Sequence, residues 1–488
     1  MANPHSVIAR AKNQIRRLLP KNRFARSVSV LAGGTAAGQI IVVAASPILT
    51  RLYTPEDFGL LAVYAALLGI VAVIASLRYQ LAIPLPESDE EAASIAVLSL
   101  LVIASMTALS ALIVWFWGSS VAMLLNVPAL EPYMWLLPVG LALMGMYQVF
   151  SYWAIRVKAF TKIARTKLTQ ALSTVGVQLG AFTLGPLALL LGQITGHAAG
   201  ATTLASLAVR RKWAAFRQVR LTNICSAARR YRRFPIYSTW GAMFNTASAQ
   251  LPLLLFAFLF SATAAGLYML AHRVLAMPSS LIGKAIGDVF FSQGADARRK
   301  GTLGVLVASI HGKLAHIAMP PMVLLVVAGP ELFGIAFGAD WRIAGEFARW
   351  MAPWIYLQFI TSPLSLLFPI LEKQMHEVFF QGALLISRLG ALLVGAWLGD
   401  LMAAVILFSL ASTVNYLAVL AWEIRISGNA WHDLYSPSIK SGALSLVLVS
   451  PLIIVQWTAL PTAFWFAALM LTSAGIAGRY FCLGRAAW

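Results

Sequence analysis

Four cations lie within or at the edge of stretches that are otherwise apolar: Arg78, Arg273, Lys284 and Arg388. A charge in hydrocarbon is costly unless it meets a partner or a wet cavity, so each is a candidate substrate contact. The chemistry such residues offer is anion recognition, and a guanidinium grips a phosphate through two parallel N–H donors. Arg273 lies seven residues past Gly266, about 10 Å along a helix from its outer end. Arg388 lies midway through its stretch, and its structural alternative is a hydrogen bond to Ser387 or to neighbouring helices. Arg78 and Lys284 fall near the inner ends of theirs, where snorkelling to the interface is the bland alternative. With a cavity open to the inside, these two would meet an anion first. No nucleophile–base pair, nucleotide loop or metal cluster accompanies them, so the expectation is recognition without catalysis and without a cofactor or metal. His311 and His316 lack a third ligand at useful spacing.

These cations need elements to carry them. Of 488 residues, 60% are hydrophobic and 11% charged, and the mean hydropathy is +0.78. A soluble globule of that composition would have nowhere to hide its apolar surface. The expected fold is an all-α polytopic membrane protein. Apolar runs of the length a bilayer needs fall at about 27–49, 59–82, 93–117, 133–153, 167–185, 187–208, 236–260, 265–286, 312–329, 345–371, 378–398, 400–424, 441–457 and 460–482. Gly185-Pro186 and Gly399-Asp400 mark tight turns. The net charge of +20 sits between the hydrophobic runs, which argues for membrane topology and against a nucleic-acid partner. Connections 154–166, 209–235 and 287–311 are basic, whereas those on the opposite side carry only Arg51 and Arg342. Positive connections stay in the cytoplasm, so both termini are expected there. Cys225 and Cys482 lie beside basic segments, where thiols stay reduced.

Two short matches suggest a duplication. Phe58-Gly59-Leu60 and Ala265-Gly266-Leu267 are 207 residues apart, and Trp135-Leu136-Leu137-Pro138 matches Trp350-Met351-Ala352-Pro353 at 215. The organisation predicted is a basic N-terminus at 1–26, a six-helix bundle at 27–208 and a basic linker at 209–235. A second six-helix bundle follows at 236–424, with two additional helices at 425–488. Bundles in parallel repeat imply a cavity between them. Pro47, Pro138, Pro278, Pro353 and Pro363 can kink the spans. Trp115, Trp117, Trp350, Trp354 and Trp457 read as an aromatic belt. Arg51 reads as an interfacial anchor or as the partner of Glu56 and Asp57.

The stretches TRLYTPEDFGLLAVYAALLG at 50–69 and SLRYQLAIPLPESDEEA at 76–92 resemble the polysaccharide transporter family of lipid-linked oligosaccharide flippases. AGLYMLAHRVLAMPSSLIGKAIGDVFF at 265–291 and GPELFGIAFGADWRIAGEFARWMAPW at 329–354 are similar to the same family's second half. The resemblance implies a bacterial inner-membrane flippase that moves an undecaprenyl-pyrophosphate-linked oligosaccharide from the cytoplasmic to the periplasmic leaflet by alternating access. Its implied partners are that lipid, the bilayer and other polysaccharide-assembly membrane proteins. Two other classes are weighed against it. A membrane polymerase or ligase needs sizeable outer loops, and the longest here, 118–132 and 330–344, are short. An ion-coupled drug antiporter of the same fold favours intramembrane carboxylates. Glu331, Asp340, Asp400, Glu423 and Asp433 read as helix-end or loop residues.

Overall fold

The computed structural model describes residues 23–279, 283–458 and 461–486. The basic residues from Arg10 to Lys21 therefore lie outside the described residues. The chain is helical nearly throughout: α1 (Arg23–Leu52), α2 (Pro55–Ile74), α3 (Asp89–Leu124), α4 (Leu136–Arg156), α5 (Phe160–Gly180), α6 (Pro186–Arg217) and α7 (Leu221–Arg230). These are followed by α8 (Thr239–Leu259), α9 (Ala262–Pro278), α10 (Lys284–Arg299), α11 (Leu303–Phe337), α12 (Arg342–Leu364), α13 (Gln374–Trp397), α14 (Leu401–Ile426), α15 (Trp431–Trp457) and α16 (Thr462–Ala486). The protein is an all-α polytopic membrane protein.

Ten helical segments among the described residues are long and apolar enough to cross a membrane. The other four expected spans coincide with α5, α6, α9 and α16. Of these, α5 carries Lys162, Arg165 and Lys167, and α9 has only 17 residues, including His272 and Arg273. Sequence and structure also differ at the ends. The helix expected at 312–329 begins at Leu303, and the linker at 209–235 is itself largely helical.

The boundaries have local causes. Gly185 adopts φ +60° before Pro186 opens α6, and Gly399 adopts φ +68° before Asp400 caps α14 by accepting from Met402 N at 2.7 Å. Thr54 and Asp57 cap α2 reciprocally, with Thr54 N to Asp57 Oδ2 at 2.9 Å and Asp57 N to Thr54 Oγ1 at 3.2 Å. Asp57 is thus a capping residue. Arg51 instead donates to the carbonyls of Pro47, Ala336 and Ile335 at 2.6, 2.9 and 3.1 Å. It satisfies orphan acceptors at the end of α11, as a cation at a helix C-terminus should.

By its contacts the chain forms two compact units. One comprises the described residues up to 45, with 64–124 and 128–250; the other comprises 46–63, 125–127 and 251–488. In the first, Tyr64 donates to Leu136 O at 3.0 Å, while α6 packs on α4 and α5.

In the second unit, α11 packs on α12 and α15, and α14 on α12 and α13. The glycines that matched in sequence meet here. A Cβ on Gly59 would lie 1.9 Å from Ala262 O, and one on Gly266 would lie 2.0 Å from Pro55 O. Only glycine permits α2 and α9 to cross so closely. Next to this crossing, Trp341 packs edge-on against Phe58 at 4.9 Å and donates from Nε1 to Thr50 O at 3.0 Å. The last two helices dock on α11 through Ala328, Val449, Leu452 and Ala468. Arg479 pins them further, contacting Ser441 at 2.7 Å, Ser445 at 3.1 Å and His316 Nδ1 at 2.9 Å.

Candidate functional site

Arg78 does not sit on a helix. The second span stops at Ile74, four residues before it, and Leu77 and Arg78 take φ +46° and +64° ahead of a 3₁₀ turn at Tyr79–Ala82. Non-glycine residues in the left-handed region cost about 1–2 kcal/mol each, and such strain persists only where the surroundings over-determine it. The surroundings are visible. Ser76 is hydrogen-bonded to Gln80, whose amide donates to Gln148 at 3.1 Å, and the Tyr79 hydroxyl donates to Ala228 O at 3.3 Å. Ser76, Tyr79 and Gln80 are buried. The Arg78 Nε is also buried and has no hydrogen-bond partner among the described residues. The turn thus presents a cation with unused donor capacity.

The segment that follows is held by a residue the sequence reading left in a basic connection. Arg156, the last residue of α4, donates to the carbonyls of Pro86, Glu87 and Ser88 at 2.5, 3.1 and 3.0 Å and pairs with Asp89 at 3.2 Å. Its side chain is 10% exposed, so the fork is committed to folding this loop. Arg230 on α7 pairs with Glu91 at 2.8 Å. Burial, and then the Glu91 carboxylate beside it, raises the pKa of the Tyr231 phenol.

In the second unit Arg388 is enclosed. Its guanidinium lies over Trp354, Phe408 and Tyr416 at 4.8, 4.9 and 5.9 Å from the ring centroids, and its Nε donates to Ser412 Oγ at 2.8 Å. Cation–π contacts of this kind are worth up to about 2 kcal/mol when desolvated. Trp354 is therefore no interfacial tryptophan; it is 1% exposed, whereas Trp115 and Trp457 are 84% and 89% exposed. The same ring stacks on His272 at 6.0 Å, the neighbour of Arg273 in α9. Arg273 itself is half-buried and has no hydrogen-bond or ion-pair partner among the described residues.

Arg273 and Arg388 thus belong to one unit and Arg78 to the other. Lys284 opens α10, but its side chain, like that of Asp288, lies outside the described ones. Glu423 departs from the sequence reading. Although it lies in the last turn of α14, it is wholly buried, and neither carboxylate oxygen has a hydrogen-bond partner among the described residues.

Comparisons with known proteins bear on this arrangement. Residues 48–345 match a family described as "Polysaccharide biosynthesis protein". No curated protein matches the chain. Among solved structures, the lipid II flippase MurJ in an inward closed conformation superposes with a TM-score of 0.71 at 10% identity, covering 93% of this chain and 98% of that one. An inward-facing multidrug resistance MATE family transporter of the MOP superfamily gives 0.57 at 12% identity, with coverages of 81% and 94%. A Vibrio cholerae MATE transporter gives 0.53 at 11%, with coverages of 82% and 96%. At these identities the likeness is one of fold.

Proposed function

The chain belongs to the polysaccharide biosynthesis protein family, and from that premise we propose that it is a flippase. Its substrate would be an undecaprenyl-pyrophosphate-linked oligosaccharide, moved by alternating access from the cytoplasmic to the periplasmic leaflet of the bacterial inner membrane. The observation that carries this reading is the family match over 48–345 on a fold shared with a lipid II flippase. Physical chemistry supports it. A pyrophosphate bearing sugars cannot cross hydrocarbon unaided and needs cations in a wet path. Arg78 and Arg273 are cations whose hydrogen-bonding capacity the fold leaves open. Segment 46–63 belongs to the second unit, where Gly59 and Gly266 cross.

Glu423 favours a second reading, an ion-coupled drug antiporter, because it is a buried carboxylate of the kind such coupling uses. The test separates the two. Cells lacking the protein should accumulate lipid-linked repeat units on the cytoplasmic leaflet, and lipid co-purified with the protein should carry a glycan detectable by mass spectrometry. Unchanged glycan export together with drug hypersensitivity would overturn the flippase reading. Reporter fusions after Lys440 and Trp488 should both report a cytoplasmic position.

A further inference from the structure

We propose that a polar cavity enclosed by α12, α13 and α14 is a subsite for one neutral or amino sugar ring of the transported glycan. The inference rests on the flippase reading. The cavity measures 190 Å³, below the roughly 300–1,000 Å³ of drug-sized sites. That space suits a single ring.

Its position follows from the packing of α13. Met375, Val378, Phe379 and Ile386 are strongly exposed, as a lipid-facing stripe should be. Glu377, Gln381 and Leu384 lie at helical spacing on the other face and line the cavity. Polar side chains on a bilayer-spanning helix normally face the bundle and find partners there. Gln381 is exposed at the opening of the cavity, and its amide makes no hydrogen bond among the described residues.

The remaining donors and acceptors suit hydroxyl groups. Asn415 spends both amide hydrogens, on Ser387 Oγ and Ala411 O at 2.8 Å each, which leaves its carbonyl as an acceptor. Thr361 donates to Leu357 O at 3.0 Å and retains oxygen lone pairs. Gln381 adds both donors and an acceptor. One wall is aromatic: Phe380, partly exposed, lines the cavity beside the buried Phe368, giving an apolar surface that the C–H side of a pyranose can cover. The charge present selects against the other end of the substrate. Glu377 is the ionisable acid of the lining and forms no ion pair among the described residues. Its carboxylate repels pyrophosphate and tolerates a neutral or protonated amino sugar.

Two lipids test this on the purified full-length protein: bare undecaprenyl pyrophosphate, and the host's undecaprenyl-pyrophosphate-linked repeat unit, with capture read by native mass spectrometry. Gln381→Leu should cut capture of the glycan-bearing lipid about tenfold, the cost of losing one or two hydrogen bonds. Capture of the bare lipid should not change. Retained glycan capture, or equal loss of both lipids, would overturn the subsite. Failure of the unsubstituted protein to capture either lipid would instead overturn the flippase reading, and the subsite with it. Should Gln381→Leu fail to fold, Ser362→Val at the exposed rim of the cavity is held to the same outcomes.

Discussion

Arg78 and Arg388 are both arginines in apolar surroundings, yet the two units hold them in opposite ways. Arg388 is surrounded by three rings and bonded to Ser412 through Nε, although its buried Nη2 has no hydrogen-bond partner among the described residues. At Arg78 the backbone is strained instead, the neighbouring residues are tied down, and the Nε has no hydrogen-bond partner among the described residues. Depth in the sequence did not separate them; the ring contacts and the Ser412 bond, which only Arg388 has, do. By that criterion Arg273, half-buried and without a partner among the described residues, falls with Arg78, and Arg388 and Arg156 fall with the scaffold.

The comparison can be broken most sharply at Arg273. Arg273→Ala should remove export of the lipid-linked sugar while membrane abundance stays near normal, and Arg273→Lys should keep part of it, since a point charge replaces a bidentate fork. Normal export in the alanine variant would take Arg273 out of the substrate path. Arg388→Ala should show the reverse pattern. It removes the cation–π contacts and the Ser412 bond, so thermal unfolding and membrane abundance should register a loss of roughly 2 kcal/mol or more. Full stability with lost export would move Arg388 into the site.

The smallest effect is the most diagnostic. Asn tolerates the left-handed region better than Arg, so Arg78→Asn should leave stability unchanged or raise it by about 0.5–1 kcal/mol. Export should fall at the same time. A thermal shift assay alongside the export measurement checks both, and destabilisation would show that Arg78 belongs to the scaffold after all.

Much was legible before any coordinates. The helices, their tight turns at Gly185 and Gly399, and the family likeness around 50–92 and 265–354 are encoded locally, in apolar runs, in residues that permit positive φ, and in short motifs. What misled was also local. Arg78 lies next to an apolar run and therefore read as helical, although the chain breaks at Ile74 to form a turn fixed by Gln148 and Ala228, far away in sequence. Trp354 has the composition of a belt residue but stacks on His272 and Tyr416. Glu423 sits at a helix end and is nonetheless buried.

The sequence alone determined that this is an all-helical membrane protein, because hydrophobic length and turn chemistry act over a few residues, and its motifs at 50–92 and 265–354 carried the family likeness. Only the tertiary structure decided that Gly59 and Gly266 touch, that Arg156 folds the 83–89 loop, and that Gln381, Asn415 and Thr361 converge on one cavity. These depend on which faces of distant helices meet. A helix's own period does not specify its neighbour, and in a bilayer, where every face can be apolar, the hydrophobic pattern that orients soluble helices carries little of that information.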